Sequence, residues 1–288
     1  MTYKSILAVL TGTGTDTATM SVVDQIAGKF DAHVDVFHVR SDPMSYVSYT
    51  GDAMSIDVYS RIIEAAEEEN AARSEVARKA FDAWVEQKNI PMLDTPDGLD
   101  HVTASWREQT GNEADLVAGA GRVYDLVILG PGSDETGAAH DTAIEKAIFD
   151  TGRPALLGTA EPVDGIGKRI DILWNGSAEA ARAVDAALPL LSRADQVHIL
   201  SVNEDTGPEP AQTGLTRYLS WHGITATLAT FEPDERLIGE ALLTEVRRNE
   251  ADLLVMGAYG HSRLRELVLG GVTRHMLKED HPPIFAAH

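Results

Sequence analysis

The chain has 288 residues, 43% of them hydrophobic, with a formal net charge of −21, only 24 Lys and Arg, and no cysteine. That length gives a soft expectation of two domains, each able to bury a core. The charge leaves no basic footprint for nucleic acid and works against anionic membranes, and a chain without cysteine has no disulfides, thiol nucleophiles or zinc–thiolate sites. The opening stretch carries a single Lys before a short apolar run ending in Thr11-Gly12, so it reads as a strand rather than a secretory signal. No apolar run reaches membrane-span length. The expectation is a cytoplasmic protein without membrane or nucleic-acid partners.

In chain order, Ser5–Leu10 is a predicted strand and Thr17–Phe30 a helix, with Met20, Val23, Ile26 and Ala27 on one face. Val34–Val39 is a second strand. Val58–Lys88 is a long amphipathic helix whose apolar face carries Ile62, Ala66, Ala72, Val76, Ala80 and Trp84. Leu126–Leu129 is a strand without polar alternation, Ala143–Phe149 a helix and Ala155–Leu157 a strand. Then come Ile170–Trp174 (strand), Ala178–Leu191 (helix), Val197–Val202 (strand), Gly214–Trp221 (helix), Thr225–Phe231 (strand), Leu237–Asn249 (helix), Leu253–Met256 (strand), Gly271–Lys278 (helix) and Pro283–Ala286 (strand). Alternation of near-continuous apolar strands with helices predicts parallel sheets covered on both faces.

The pattern is written twice. Asp125-Leu126-Val127-Ile128-Leu129-Gly130 matches Asp252-Leu253-Leu254-Val255-Met256-Gly257. The Ser5–Gly12 strand and turn match Arg169–Ser177, Ala32–Val39 matches Asp195–Val202, and Arg153–Leu157 matches His281–Phe285. Four elements recurring in one order imply a duplication. The Gly- and Pro-rich stretch from Glu161 to Lys168 marks the boundary, giving domains 1–160 and 165–288.

The stretch with most chemistry follows the last Asp-Leu repeat. Gly257, Gly260, Gly270 and Gly271 form the pattern G-x2-G-x9-G-G-x-T, closing on Val272 and Thr273. A strand, a glycine turn, a polar loop and a helix opening on glycines can cradle an anion: the backbone approaches closely and the helix start offers unpaired N–H groups. The same glycines also serve tight turns and helix packing. This is not a P-loop, because no Lys-Ser/Thr follows. His261, Arg263 and Arg265 lie between the glycines, and His261, beside Gly260, is best placed to neutralise phosphate. Tyr259 and Trp174 offer rings for a base or for the core. In open α/β sheets ligands sit at the carboxyl ends of strands where strand order reverses, here Asn175, Val202 and Gly257.

These residues resemble a tandem universal stress protein. The resemblance rests on Ile172-Leu173-Trp174-Asn175-Gly176-Ser177, on Glu179–Ala183 in the next helix, on Met256-Gly257-x2-Gly260-x9-Gly270, and on Pro282-Pro283 before the last strand. It implies two α/β open-sheet sandwich domains of the adenine-nucleotide alpha-hydrolase-like type, each with a mainly parallel five-stranded sheet. It also implies ATP or AMP, with Mg²⁺ accompanying ATP, held by Asn175, Val202, Met256, Gly257, Gly260, His261, Gly270, Gly271, Val272 and Thr273. Gly271 replaces the family's Ser/Thr, for which Thr273 can stand in, and Asn175 replaces its acidic residue. In the first half Thr11 takes that acidic place, and Asp134, Glu135 and Glu145 would put carboxylates beside phosphates, a costly arrangement. The expectation is that the first half has lost the site. The family further implies pairing through each domain's last strand, so the two domains would form an intramolecular pseudo-dimer, with a further homodimer left open.

Other motifs carry less. Thr11-Gly12-Thr13-Gly14 has G-x-G but Thr17 where a dinucleotide fingerprint has its third glycine, and reads as a turn and cap. Histidines lack metal spacing, no G-x-S-x-G elbow occurs, Gly176-Ser177 reads as an N-cap, and Glu67-Glu68-Glu69 as a solvated face. With no catalytic residues evident, the expected function is a non-enzymatic, nucleotide-binding stress-response protein. The alternatives are a nucleotide-free interaction protein and a slow ATPase.

Overall fold

A computed structural model describes residues 2–44, 56–96, 98, 100–132, 137–202, 211–231, 238–258 and 281–288. The first half contains β1 (Ser5–Leu10), α1 (Asp16–Phe30), β2 (His33–Ser41), α2 (Ile56–Lys88), β3 (Thr103–Gly111), α3 (Glu113–Gly121), β4 (Leu126–Leu129), α4 (Gly137–Phe149) and β5 (Ala155–Leu157). The second contains β6 (Arg169–Leu173), α5 (Ala178–Leu191), β7 (Gln196–Val202), α6 (Ala211–Trp221), β8 (Ala226–Phe231), α7 (Ile238–Arg248), β9 (Leu253–Gly257) and β10 (Ile284–Ala287). The expected helix over Gly271–Lys278 lies outside the described residues.

The ten strands among the described residues join one sheet, in the order β3-β2-β1-β4-β5-β10-β9-β6-β7-β8. Every pairing is parallel except the central one, where β5 meets β10 antiparallel with Leu156 opposite Phe285. The order within each group of five is the same, so the repeated sequence elements occupy repeated places.

The strands lack polar alternation because both faces are covered. In β1, Ile6, Ala8 and Leu10 point into one core with α1 and α2, while Leu7 and Val9 point into the other with α3 and α4. In β9, Leu253 and Val255 share the first core with α5, and Leu254 and Met256 share the second with α7. Helix α5 buries Ala180, Ala183, Val184, Ala187 and Leu191, a helical-period stripe. Both cores run unbroken across the β5–β10 seam. Tyr3 crosses it directly: its hydroxyl donates to the Ala186 carbonyl at 2.5 Å and its ring packs edge-on to Phe30 and near Phe285. Burial, then the charge of Asp125, pushes the Tyr3 hydroxyl far above its ordinary pKa, keeping it a donor.

Two elements were not anticipated. Strand β3 (TASWREQTG) is buried only over its first three residues and sits at the sheet edge, so its polar sequence has no apolar pattern to reveal. Helix α3 is nine residues long, and its Asn112 cap accepts from the Asp115 N–H at 3.0 Å. Helix α4 begins at Gly137, earlier than the expected Ala143, because its first turn buries His140 rather than an apolar residue.

Candidate functional site

Strand order reverses around β6, which has β7 on one side and β9 on the other, and likewise around β1, between β2 and β4. Each reversal opens a crevice at the strands' carboxyl ends. The second-half crevice is bordered by the ends of β6, β7 and β9, which brings Asn175, Val202, Met256 and Gly257 to one sheet edge. Gly260, His261, Gly270, Gly271, Val272 and Thr273 lie outside the described residues, as does Tyr259.

Asn175 is exposed, and its side-chain oxygen accepts from the Ser177 N–H at 3.1 Å. Gly176 takes the left-handed region, φ 74°, that this tight turn requires. Ser177 then caps α5, accepting from the Ala180 N–H at 3.2 Å. Gly257 is tied to the same turn. A Cβ built there would lie 2.3 Å from the Ala180 nitrogen and 2.5 Å from the Glu179 carbonyl carbon, so only glycine lets the start of α5 sit against the end of β9. Met256 is buried in the core beneath. Trp174 is half-buried against the α5-side core, and its indole N–H is buried without an acceptor among the described residues.

The corresponding first-half crevice is filled by its own side chains. The buried Asp16 carboxylate accepts from the Thr11 N–H at 3.0 Å, the Gly12 N–H at 2.8 Å and the Thr11 hydroxyl at 3.2 Å. Burial raises its pKa, and the same hydrogen bonds partly offset that. Helix α2 lies across this loop: a Cβ on Gly12 would be 2.4 Å from the Arg73 carbonyl oxygen. At the end of β4, fully buried His140 stands between the Glu113 carboxylate (2.7 Å) and the Gly130 carbonyl (3.1 Å). Both partners are acceptors, so both ring nitrogens carry protons. Burial works against that charge, but Glu113, the Gly130 carbonyl and Asp141 outweigh it and raise the pKa. Glu145 is exposed on α4; Asp134 and Glu135 lie outside the described residues. Sequence reasoning read the stretch from Thr11 to Thr17 only as a turn and cap. It had no signal for Glu113 and His140, which are 27 residues apart and meet only through the packing of α3 on α4.

Among the described residues no group of three or more His, Asp or Glu side chains could hold a metal ion, and no helix is long and apolar enough to cross a membrane.

A doubled open α/β sheet with strand-end crevices is the class that fold and site define. Residues 231–284, which include the G-x2-G-x9-G-G stretch, match the model of the Universal stress protein family. A curated relative, Universal stress protein Slr1230 of Synechocystis sp. (strain ATCC 27184 / PCC 6803 / Kazusa), is 28% identical over 171 residues, covering 56% of this chain. The match spans 57% of that relative's own length. Among solved structures, a universal stress protein from Archaeoglobus fulgidus DSM 4304 superposes with a TM-score of 0.63 at 17% identity, covering 99% of this chain and 97% of that one. A functionally unknown protein, PA1789, from Pseudomonas aeruginosa PAO1 gives 0.58 at 12% identity, over 99% and 92%. These likenesses establish a fold of the universal-stress-protein type.

Proposed function

We propose that the chain is a tandem universal stress protein that binds an adenine nucleotide, ATP or AMP, in its second half and acts without catalysis as a cytoplasmic stress-response protein. The observation that carries this reading is the family-model match over residues 231–284, because it falls on the stretch holding Gly257, Gly260, Gly270 and Gly271. The crevice geometry supports it. Asn175, Gly176 and the capped start of α5 stand at one strand end, Gly257 at the next, and the edge between them is where such sheets take ligands. In this reading Asn175 and Val202 border the base and ribose, while Gly260, His261, Gly270, Gly271 and Thr273 meet the phosphates. Mg²⁺ arrives with ATP rather than in a protein cage. The first half, with Asp16 and the His140–Glu113 pair filling its crevice, has given up nucleotide and serves as the partner that β5 pairs to β10.

Isothermal titration of the purified chain with ATP and Mg²⁺ tests this. A saturable isotherm that is lost in Gly260→Val, with no ADP formed above background, is the expected result. No heat, together with no adenine nucleotide released from the purified chain on heating, overturns it in favour of a nucleotide-free interaction protein. That second reading draws on Asn175, whose side-chain oxygen is already committed to the Ser177 N–H.

A further inference from the structure

The two halves meet through β5 and β10, so the sheet is left with β3 at one end and β8 at the other. A free sheet edge offers unpaired N–H and C=O groups that can template another strand, and proteins blunt such edges with charge, proline or a covering segment. Strand β3 is guarded in two ways. Residues 91–93 run along its outer side, where the Ala104 N–H donates to the Pro91 carbonyl at 3.0 Å and the Ala104 carbonyl accepts from the Leu93 N–H at 2.9 Å. Past that strap the strand carries the charged residues Arg107 and Glu108.

Strand β8 (ATLATF) has neither guard. It holds no charged residue and no proline. Strand β7 pairs with one side of it, and among the described residues no strand pairs with the other. Of the large apolar side chains exposed among the described residues, Leu228 is the one that a named strand carries, and it is 40% exposed. It stands two residues from Ala226, and so on the same face of the sheet, the face that packs against Leu215 and Leu219 of α6.

Helix α6 turns an uncharged flank to this edge. The Tyr218 hydroxyl donates to Asp185 of α5 at 3.2 Å, so that side of α6 faces inward along the sheet. Thr216 and Ser220 lie about 200° around the helix from Tyr218. They are small and neutral, and a second molecule can approach β8 beneath them.

The occupant that fits this edge is a second copy of the chain. Two β8 strands related by a two-fold axis perpendicular to the sheet run antiparallel, and each face of the sheet continues as the same face. Side chains from opposite residues then share a face, which requires an odd number of residues from one to its partner inclusive. The register centred on Leu228 meets this, setting Leu228 against its counterpart and Thr227 against Ala229. It covers the exposed leucine and places no charge opposite a like charge. That neutrality is selective in a chain of net charge −21, most of whose surface repels a second copy. Because β3 is guarded, β8 cannot pair with it head to tail, and association closes at two copies instead of growing into a fibre.

We propose that the chain forms a two-fold dimer by antiparallel pairing of β8 with β8 of a second copy, with Leu228 on the axis, which joins the two sheets into one. The dimer uses neither the β5–β10 seam nor the strand-end crevices, so it stands or falls independently of nucleotide binding.

Sedimentation velocity of the full chain from about 1 to about 500 µM tests the proposal, a range suited to a small interface. A reversible, concentration-dependent dimer is expected. Leu228→Lys and Leu228→Glu each put like charges on the axis, and each is expected to weaken the dimer about tenfold or more. An equimolar mixture of the two variants is expected to dimerise again, because opposite charges then meet, and that recovery also shows both to be folded. If neither variant folds, the wild type decides: mixed isotope-labelled and unlabelled copies should give intermolecular NOEs at Leu228, and amide exchange along β8 should slow as concentration rises. A monomer throughout the range overturns the proposal, as does a dimer untouched by Leu228→Lys. Protection of the β8 amides that does not change with concentration overturns it too, since the edge is then covered within one chain.

Discussion

Both carboxylate oxygens of Asp252 accept from the Lys168 N–H at 3.0 Å, across 84 residues of chain. The same carboxylate takes the Gly167 N–H at 2.7 Å and the Arg169 N–H at 3.1 Å, so it fixes the entry of β6 beside β9. Asp125 does this for β1, accepting from Lys4 at 2.8 Å and Ser5 at 3.0 Å. The repeated Asp-Leu therefore sets strand register at the lower edge of each half, and the repeated glycine four apolar residues later sets helix approach at the upper edge.

Asp252→Ala leaves three backbone donors at the start of β6 without their acceptor. A cost of about 1–3 kcal/mol is expected from such a loss, with Asp252→Asn intermediate because one acceptor oxygen remains. Urea denaturation checks this. An unchanged midpoint in Asp252→Ala would mean that water replaces the clamp at no cost.

Gly257→Ala pushes a methyl into the backbone of Glu179 and Ala180. Since backbone rather than a flexible side chain must move, a loss of about 1–3 kcal/mol is expected. The start of α5 should shift, visible as amide shift changes at Ser177–Ala181. Nucleotide affinity, measured by titration, should fall with it, since Asn175 and Ser177 belong to the same turn. Full stability with lost binding would make Gly257 a ligand contact and nothing more.

The parts of the fold that were legible in the sequence are those whose physics is local. An apolar run ending in glycine, or the Ala180-Ala183-Val184-Ala187 stripe, carries its reason in its own spacing. Strand β3 was not legible because an edge strand with one short buried end has no apolar period. The filling of the first crevice was not legible for a different reason. His140 meets Glu113 only because α3 and α4 pack together, and Asp16 meets Gly12 only because the β1 turn folds back. The glycines of the second half were readable as a motif, and Gly257 has a packing role that the motif alone did not separate from a ligand role.

The His140–Glu113 pair should give stability a pH dependence. Burial lowers the His140 pKa, but Glu113, the Gly130 carbonyl and Asp141 raise it further, for a net increase over the ordinary value. The folded state thus binds this proton more tightly than the unfolded chain. The contribution is complete below the unfolded pKa of about 6.5 and is lost as pH rises through the folded value. Urea midpoints measured upward from pH 6 should fall more steeply for the wild type than for Glu113→Gln, in which burial dominates and His140 becomes neutral. Parallel profiles would remove the ion pair from the account.

Asn175→Asp tests the reading of the second-half crevice at its most informative described residue. Asn175 is exposed, and its one assigned role is to accept from the Ser177 N–H at 3.1 Å. A carboxylate accepts that bond equally well, so the turn and the α5 cap should persist, with stability changing by less than about 0.5 kcal/mol. The added charge would stand at the end of β6, where the proposed site holds base and ribose, whose amino and hydroxyl groups are donors. A hydrogen bond to a charged acceptor outweighs one to an amide by roughly 0.5–1.5 kcal/mol, which predicts ATP binding several-fold tighter in the variant. Isothermal titration of the two proteins side by side reads it. Unchanged or weaker binding with an intact fold would place the ligand's polar edge away from β6 and take Asn175 out of the site.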